Sequence, residues 1–365
     1  MTPVTPPEPS LLTIPLELLN HITKDFDIET VQNFRKACRK FYHYASSDLP
    51  KFDSQLERLI ISQYMFYKDT VEVNLRCTDG RSYNIIYRKY GNGCTVQYID
   101  RELGIDRKRG LKFQDYAEVA GNDVGLILRN QRSAMKTLIV MNPEDNSLDL
   151  DLIGRKSAEQ RLWKVLGAHL TSRKSLLQVE EFEPYITTYT NREPQLLSTL
   201  QYLDPRSLEL LNLHRIHFGK GNKISLDAIV KTEHWKMASR IRMDSVWTDA
   251  SLRDFLHFKE AKISIEKISV DEMVTLKEIR LQNPSLGAFE IKFKRLIQQP
   301  RLSYRLGPAY RSYEDIGDIR IWPIPNNDKK VHFGLKMGRK KCLTVQNSAV
   351  LHDIDEWAEV FLRFR

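Results

Sequence analysis

The sequence predicts a mixed α/β protein in three parts: a short all-α segment, a β-meander, and an irregular strand-helix solenoid of the leucine-rich-repeat kind. Three observations carry this. Two apolar stripes at helical spacing lie before residue 50. Period-two alternation with turn residues follows from Val71 to Ile99. Short apolar strand cores then recur between helical stretches from about 112 to 322.

The 365 residues are 41% hydrophobic and 28% charged, the balance of a chain that buries a core rather than staying disordered. No apolar run reaches the roughly 20 residues that cross a bilayer, so no membrane association is expected. Met1 to Ser10 is Pro-rich and lacks the basic-then-apolar order of a secretory signal; it reads as a flexible tail (residues 1–10). Cys38, Cys77, Cys94 and Cys342 form no C-x-x-C pair. Reduced thiols in the cytoplasm or nucleus are expected, without a zinc site. The net charge is +9, yet the basic groups (Arg35-Lys36-Arg39-Lys40, Arg107-Lys108-Arg109 and Arg339-Lys340-Lys341) are scattered. They read as solvated faces more than as a nucleic-acid patch.

The first element opens at Thr13-Ile14-Pro15-Leu16-Glu17. Proline presets φ and lacks a donor that the first turn cannot use, and Glu17 meets the positive end of the helix dipole. Leu18, Leu19, Ile22 and Phe26 follow on one side, and Asp27 can cap what comes next. A second helix is predicted from Ile28 to about Ser46, with Val31, Phe34, Cys38, Phe41 and Ala45 as its buried stripe. So small a module has little core of its own. The apolar lead-in Leu11, Leu12, Ile14 and Pro15 therefore suggests a partner that covers it.

Ile14-Pro15-x-Glu17-Leu18-x-x-x-Ile22 followed by Phe34-Arg35-Lys36-Ala37-Cys38-Arg39-Lys40-Phe41 resembles the F-box pattern. Ile14 stands for the usual Leu and Ala37 for the usual Val, changes close in volume or modest in loss. The resemblance implies a trihelical module over 11–50 that docks onto a Skp-family adaptor, itself held by a cullin. It assigns adaptor contact to Leu12, Ile14, Pro15, Leu18, Ile22 and Arg39, and internal packing to Phe34, Cys38 and Phe41.

Residues 51–69 are predicted to be a connecting helix, with Leu56, Leu59, Ile60 and Tyr64 on one side. The meander (70–100) has strands at Val71–Arg76, Tyr83–Tyr87 and Thr95–Ile99, with turns at Thr78-Asp79-Gly80 and Gly91-Asn92-Gly93. The repeated strand cores beyond it are Met135-x-x-Leu138-x-Val140, Leu177-x-Val179, Leu208-x-x-Leu211-x-Leu213 and Ala238-x-x-Ile241-x-Met243. Ile263-x-Ile265, Leu286-x-x-Phe289-x-Ile291 and Ile319-x-Ile321 complete the series. Helices are predicted between them at Arg155–Thr171, Pro194–Leu203, Ser225–Ala238, Asp249–Phe258 and Ser269–Asn283, with Ser225 and Ser269 as caps. A terminal hairpin (Lys330–Met337 with Cys342–Val345) and a closing helix (Ile354–Phe364) end the chain.

Leu196-Leu197-x-x-Leu200-x-Tyr202-Leu203-Asp204-Pro205-x-Ser207-Leu208-Glu209, then Glu233-His234-Trp235-Lys236-x-Ala238 and Phe255-Leu256-His257-Phe258, resembles the FTH domain of the nematode F-box A proteins. The strand pair around Asp79-Gly80-Arg81-Ser82-Tyr83 fits the same family. With the F-box, the resemblance implies a non-catalytic adaptor of an SCF-type ubiquitin ligase. Residues 70–365 would then recruit a protein target through exposed strand and loop side chains, with target contacts unassigned.

Rival chemistry is weak. His214, His217 and Gly219-Lys220-Gly221 lack the phosphate-loop spacing, and a tight loop is expected there. His234 sits at a helix end, His257 lies between phenylalanines, and Glu180, Glu181 and Glu183 read as loop acids. There is no G-x-S-x-G elbow. No enzyme, metal or cofactor is expected. The alternative class is a basic nucleic-acid-binding protein or a general interaction scaffold, and a steep salt dependence of nucleic-acid binding would favour the former.

Overall fold

A computed structural model describes residues 14–23, 26, 28–38, 40–41, 44, 53–63, 69–100, 103–141, 152–186, 193–215, 223–283, 287–306, 311–313, 318–324, 331–337 and 341–347. The expected tail, Leu12, Arg39, the 219–221 loop and the closing helix lie outside them. The chain divides into two compact units, one of residues 1–136 and 147–178, the other of 137–146 and 179–365.

The first unit begins with helices α1 (Leu16–Thr23) and α2 (Ile28–Ala37). The expected single helix from Ile28 to Ser46 is corrected: α2 stops at Ala37, and helical backbone resumes at Lys40. At that break the Phe41 N–H donates to Cys38 Sγ at 3.5 Å. Phe34 stacks on Phe41 with ring centroids 4.0 Å apart and meets Tyr44 edge-on.

Five strands form an antiparallel meander: β1 (Leu56–Gln63), β2 (Thr70–Cys77), β3 (Ser82–Tyr90), β4 (Gly93–Asp100) and β5 (Ile105–Lys112). The three expected strands are β2 to β4. β5 lies beyond the predicted limit at residue 100. Its run Ile105-Asp-Arg-Lys-Arg-Gly-Leu-Lys112 alternates too little to be read as a strand, and its middle is solvent-exposed.

The connecting helix expected at 51–69 is corrected over Leu56–Gln63, which form β1; Tyr64 lies outside the described residues. Leu56 and Leu59 are both fully buried and Ile61 nearly so. A spacing of three mimics a helix, but Leu56 pairs with Cys77 and Arg58 with Arg76. Glu57 is therefore an extra residue that resets the pleat and brings Leu59 back to the inner face. Before β1, the Asp53 carboxylate accepts from the Arg132 and Ser133 N–H groups. The Gln131 amide exchanges hydrogen bonds with both backbone groups of Leu56.

Across the inner face of the meander lies α3 (Tyr116–Arg129), capped by Asp115, which accepts from the Ala117 and Glu118 N–H groups. Its partner is α4 (Leu152–Thr171). The two approach closely because Gly121 and Gly125 face Leu162, Val165 and His169 with no side chain between. Arg173, just past α4, donates to the carbonyls of Leu128, Arg129 and Gln131 at the C-terminal end of α3. Burial holds this guanidinium below its usual pKa.

Strand β6 (Met135–Met141) crosses the boundary between units in sequence. In the second unit, β7 (Val179–Ile186) leads to α5 (Glu193–Leu200). The short strands β8 (Leu210–Asn212), β9 (His214–Arg215) and β10 (Lys223–Ile224) then precede α6 (Glu233–Met237). β11 (Arg240–Thr248), β12 (Glu260–Ser269), α7 (Val270–Gln282) and β13 (Phe289–Ile297) follow. β7, β8, β11, β12 and β13 pair in parallel. Their register aligns Phe182, Leu211, Ile241, Ala261 and Phe289 in one row, each at most 3% exposed. Strands buried in this way need apolar residues at each inward position, the recurrence visible in the sequence.

The helices at Ser225–Ala238 and Asp249–Phe258 are corrected. The first is only the 3₁₀ turn Ile229–Lys231 and the five-residue α6; the second is the 3₁₀ turn Leu252–Phe255. The Ser225 hydroxyl accepts from Asp227 in a local turn and starts no helix, whereas Ser269 does cap α7. Beyond α8 (Leu302–Leu306), β14 (Arg311–Tyr313), β15 (Asp318–Ile324), β16 (Val331–Met337) and β17 (Lys341–Asn347) are antiparallel neighbours in turn. Ile319-x-Ile321 therefore lies in a hairpin and not in another parallel repeat, and β17 turns the ladder antiparallel by pairing with β13. The terminal hairpin is β16–β17.

Candidate docking face of the N-terminal helix

α1 faces two ways. Leu19 is 2% exposed and Thr23 is 3% exposed. The Thr23 hydroxyl donates to the Leu19 carbonyl at 2.8 Å and lies 3.1 Å from the Tyr44 hydroxyl, which in turn donates to Asn20 Oδ1 at 2.7 Å. This polar lock fixes which side of the helix turns inward.

Pro15, Leu18 and Ile22 occupy positions i, i+3 and i+7, a single helical stripe. Leu18 is 55% exposed and Ile22 44%, and Pro15 is exposed as well. Ile14 is half-buried. The prediction that Leu18, Leu19 and Ile22 share one apolar side is corrected: Leu19 turns inward, the other two outward. Leu16, 57% exposed, was not among the expected contacts. Its spacing of three from the buried Leu19 points to the inward side, so no local signal marked its exposure. Leu12 and Arg39 lie outside the described residues.

The described members of the rival constellations make structural contacts, and His217 lies outside the described residues. His214 Nε2 lies 3.6 Å from the Glu183 carboxylate, and its ring stacks on Tyr185. His234 Nε2 donates to the Leu203 carbonyl, and His257 Nε2 to that of Trp235. Trp235 sits edge-on between Phe255 and Phe258, and its indole N–H donates to the Asp254 carbonyl. Glu180, Glu181 and Glu183 are on β7, not a loop, and Glu181 pairs with Arg240 across the sheet. Among the described residues no group of three or more His, Cys, Asp or Glu side chains could hold a metal, and no helix is long and apolar enough to cross a membrane.

No curated protein and no solved structure matches the chain. The family model of the FTH domain matches residues 160–301, a stretch that contains the three strings on which that resemblance rests. Residues 160–301 of this chain are an FTH domain.

Proposed function

We propose that the chain is a non-catalytic substrate-recognition adaptor of an SCF-type ubiquitin ligase. Its N-terminal segment is an F-box that docks onto a Skp-family protein and, through it, a cullin. The parallel strand-helix region is an irregular leucine-rich-repeat-like solenoid that holds a protein target. The observation that carries this reading is the exposed Pro15–Leu18–Ile22 stripe beside an inward-facing, hydrogen-bonded Leu19–Thr23 side. Exposed apolar residues on a module with little core are surface awaiting a partner. Such an adaptor makes and breaks no bond; it raises the concentration of the target beside the catalytic subunit. In the second unit, bases are interleaved with acids, as in Arg240 with Glu181 and Glu209, Lys262 with Glu290, and Lys294 with Glu266. That pattern suits a protein target better than a phosphate backbone.

The test is capture of a purified Skp-family protein by the full chain carrying Leu18→Asp with Ile22→Asp. Burying the exposed half of each side chain is worth about 1 kcal/mol, and a carboxylate buried there adds a penalty, so affinity should fall by about a hundredfold or more. Both positions face solvent, so the thermal melt of the chain should stay within a few degrees of the parent. Undiminished capture by the folded double variant overturns the docking assignment.

A further inference from the structure

The first unit contains a half-open cavity of about 710 Å³ between the meander and α3, with Ile28 of α2 also in its lining, within the range of small-molecule sites. α3 packs on β2, β3 and β4, while the middle of β5 remains exposed. Register defines the cavity floor. Ile85, Tyr98 and Arg107 lie opposite one another on β3, β4 and β5, as do Tyr87, Val96 and Arg109. Going outward, each row passes from a side chain packed near α3 to an arginine at the rim.

Arg107 and Arg109 are two residues apart on one strand, so both point to the same face, and both are exposed. The acids on the opposite wall are held by neighbouring side chains. Asp115 caps α3 and pairs with Arg161 at 3.0 Å, and Asp123 accepts from the Tyr87 hydroxyl at 3.1 Å. Glu118, in the first exposed turn of α3, also lines the space and sets its acidic side.

An apolar and aromatic floor ending in two guanidinium groups is complementary to a molecule with an apolar body and one anionic head. We infer that this cavity binds an amphipathic small molecule whose carboxylate or phosphate head pairs with Arg107 and Arg109 while its apolar body lies over Tyr98, Val96 and Ile85. Nothing in the adaptor reading requires this site, and neither depends on the other.

The experiment is calorimetric titration of the full chain with sodium dodecanoate, dodecyl phosphate, dodecylamine and dodecanol, each below its micellar concentration. Saturable one-to-one binding of an anionic amphiphile is expected, at least tenfold tighter than that of the amine or the alcohol. The preferred anion identifies the head. Arg107→Glu with Arg109→Glu, both on the exposed side of β5, should weaken binding by tenfold or more with an unchanged circular dichroism spectrum. Val96→Trp, which fills the floor, should abolish it while leaving the rim charges in place. The proposal is overturned by absence of saturable binding, by equal affinity for all four heads, by binding that survives both variants, or by uptake of a Glu-rich peptide in place of the amphiphiles.

Discussion

Glu272 ties two helix starts together, and removing its charge tests that reading. Its Oε1 accepts from the Ser251 hydroxyl at 2.7 Å and the Leu252 N–H at 3.1 Å. Its Oε2 accepts from the Ser269 N–H and hydroxyl, both at 2.8 Å. The Ser269 hydroxyl accepts in return from the Glu272 N–H, completing the capping box of α7. Burial alone would raise the Glu272 pKa, but the hydrogen bonds from Ser269, Ser251 and Leu252 outweigh it, and the carboxyl titrates below its ordinary value of 4.5.

In Glu272→Gln one oxygen becomes an amide NH₂ aimed at two donors. Each bond to a charged acceptor is worth roughly 1.5–3 kcal/mol, and the bonds are not independent, so a loss of about 2–4 kcal/mol is expected. The pH dependence has a definite sign. Because the folded pKa is depressed, the stabilisation is present above pH 4.5 and is lost as pH falls through the lower folded value. Urea unfolding followed by circular dichroism at pH 7 and pH 3 should therefore show a large gap between parent and variant at pH 7 that narrows at pH 3. An equal gap at both pH values, or none at pH 7, would refute the charged-cap account.

Two further substitutions probe the first unit by thermal melting. A Cβ at Gly121 would stand 2.7 Å from the Leu162 carbonyl oxygen and 3.2 Å from Val165 Cβ. Gly121→Ala gains about 1 kcal/mol of helix propensity but overpacks a backbone contact at roughly 1–3 kcal/mol, so the melting point should fall. A rise would mean that α3 and α4 separate freely. Arg173→Met keeps the stem and removes the donors to Leu128, Arg129 and Gln131, so it should cost about 1–3 kcal/mol; an unchanged melt would show that water replaces the guanidinium at no loss.

Local chemistry wrote much of this fold plainly. Pro15 and Glu17 placed the start of α1, Gly80 and Gly91 adopt the positive φ their turns demand, and Ser269 marked the start of α7. The strand cores around Leu211, Ile241, Ile263 and Phe289 were legible because parallel strands buried among neighbours require apolar residues inward. The 160–301 domain was legible from three strings within it.

What sequence left open was settled by pairing and packing. Leu56 and Leu59 have helical spacing, and only the partner strand, by leaving Glu57 unpaired, makes them strand neighbours on one face. Ile319 and Ile321 look like another repeat, and only the hairpin with β16 reverses their direction. Leu18 and Leu19 are chemically equal, and the Thr23–Tyr44–Asn20 hydrogen bonds decide which one turns inward. A sequence records the preference of each residue for burial or exposure, but which face is covered depends on the distant segments that pack against it.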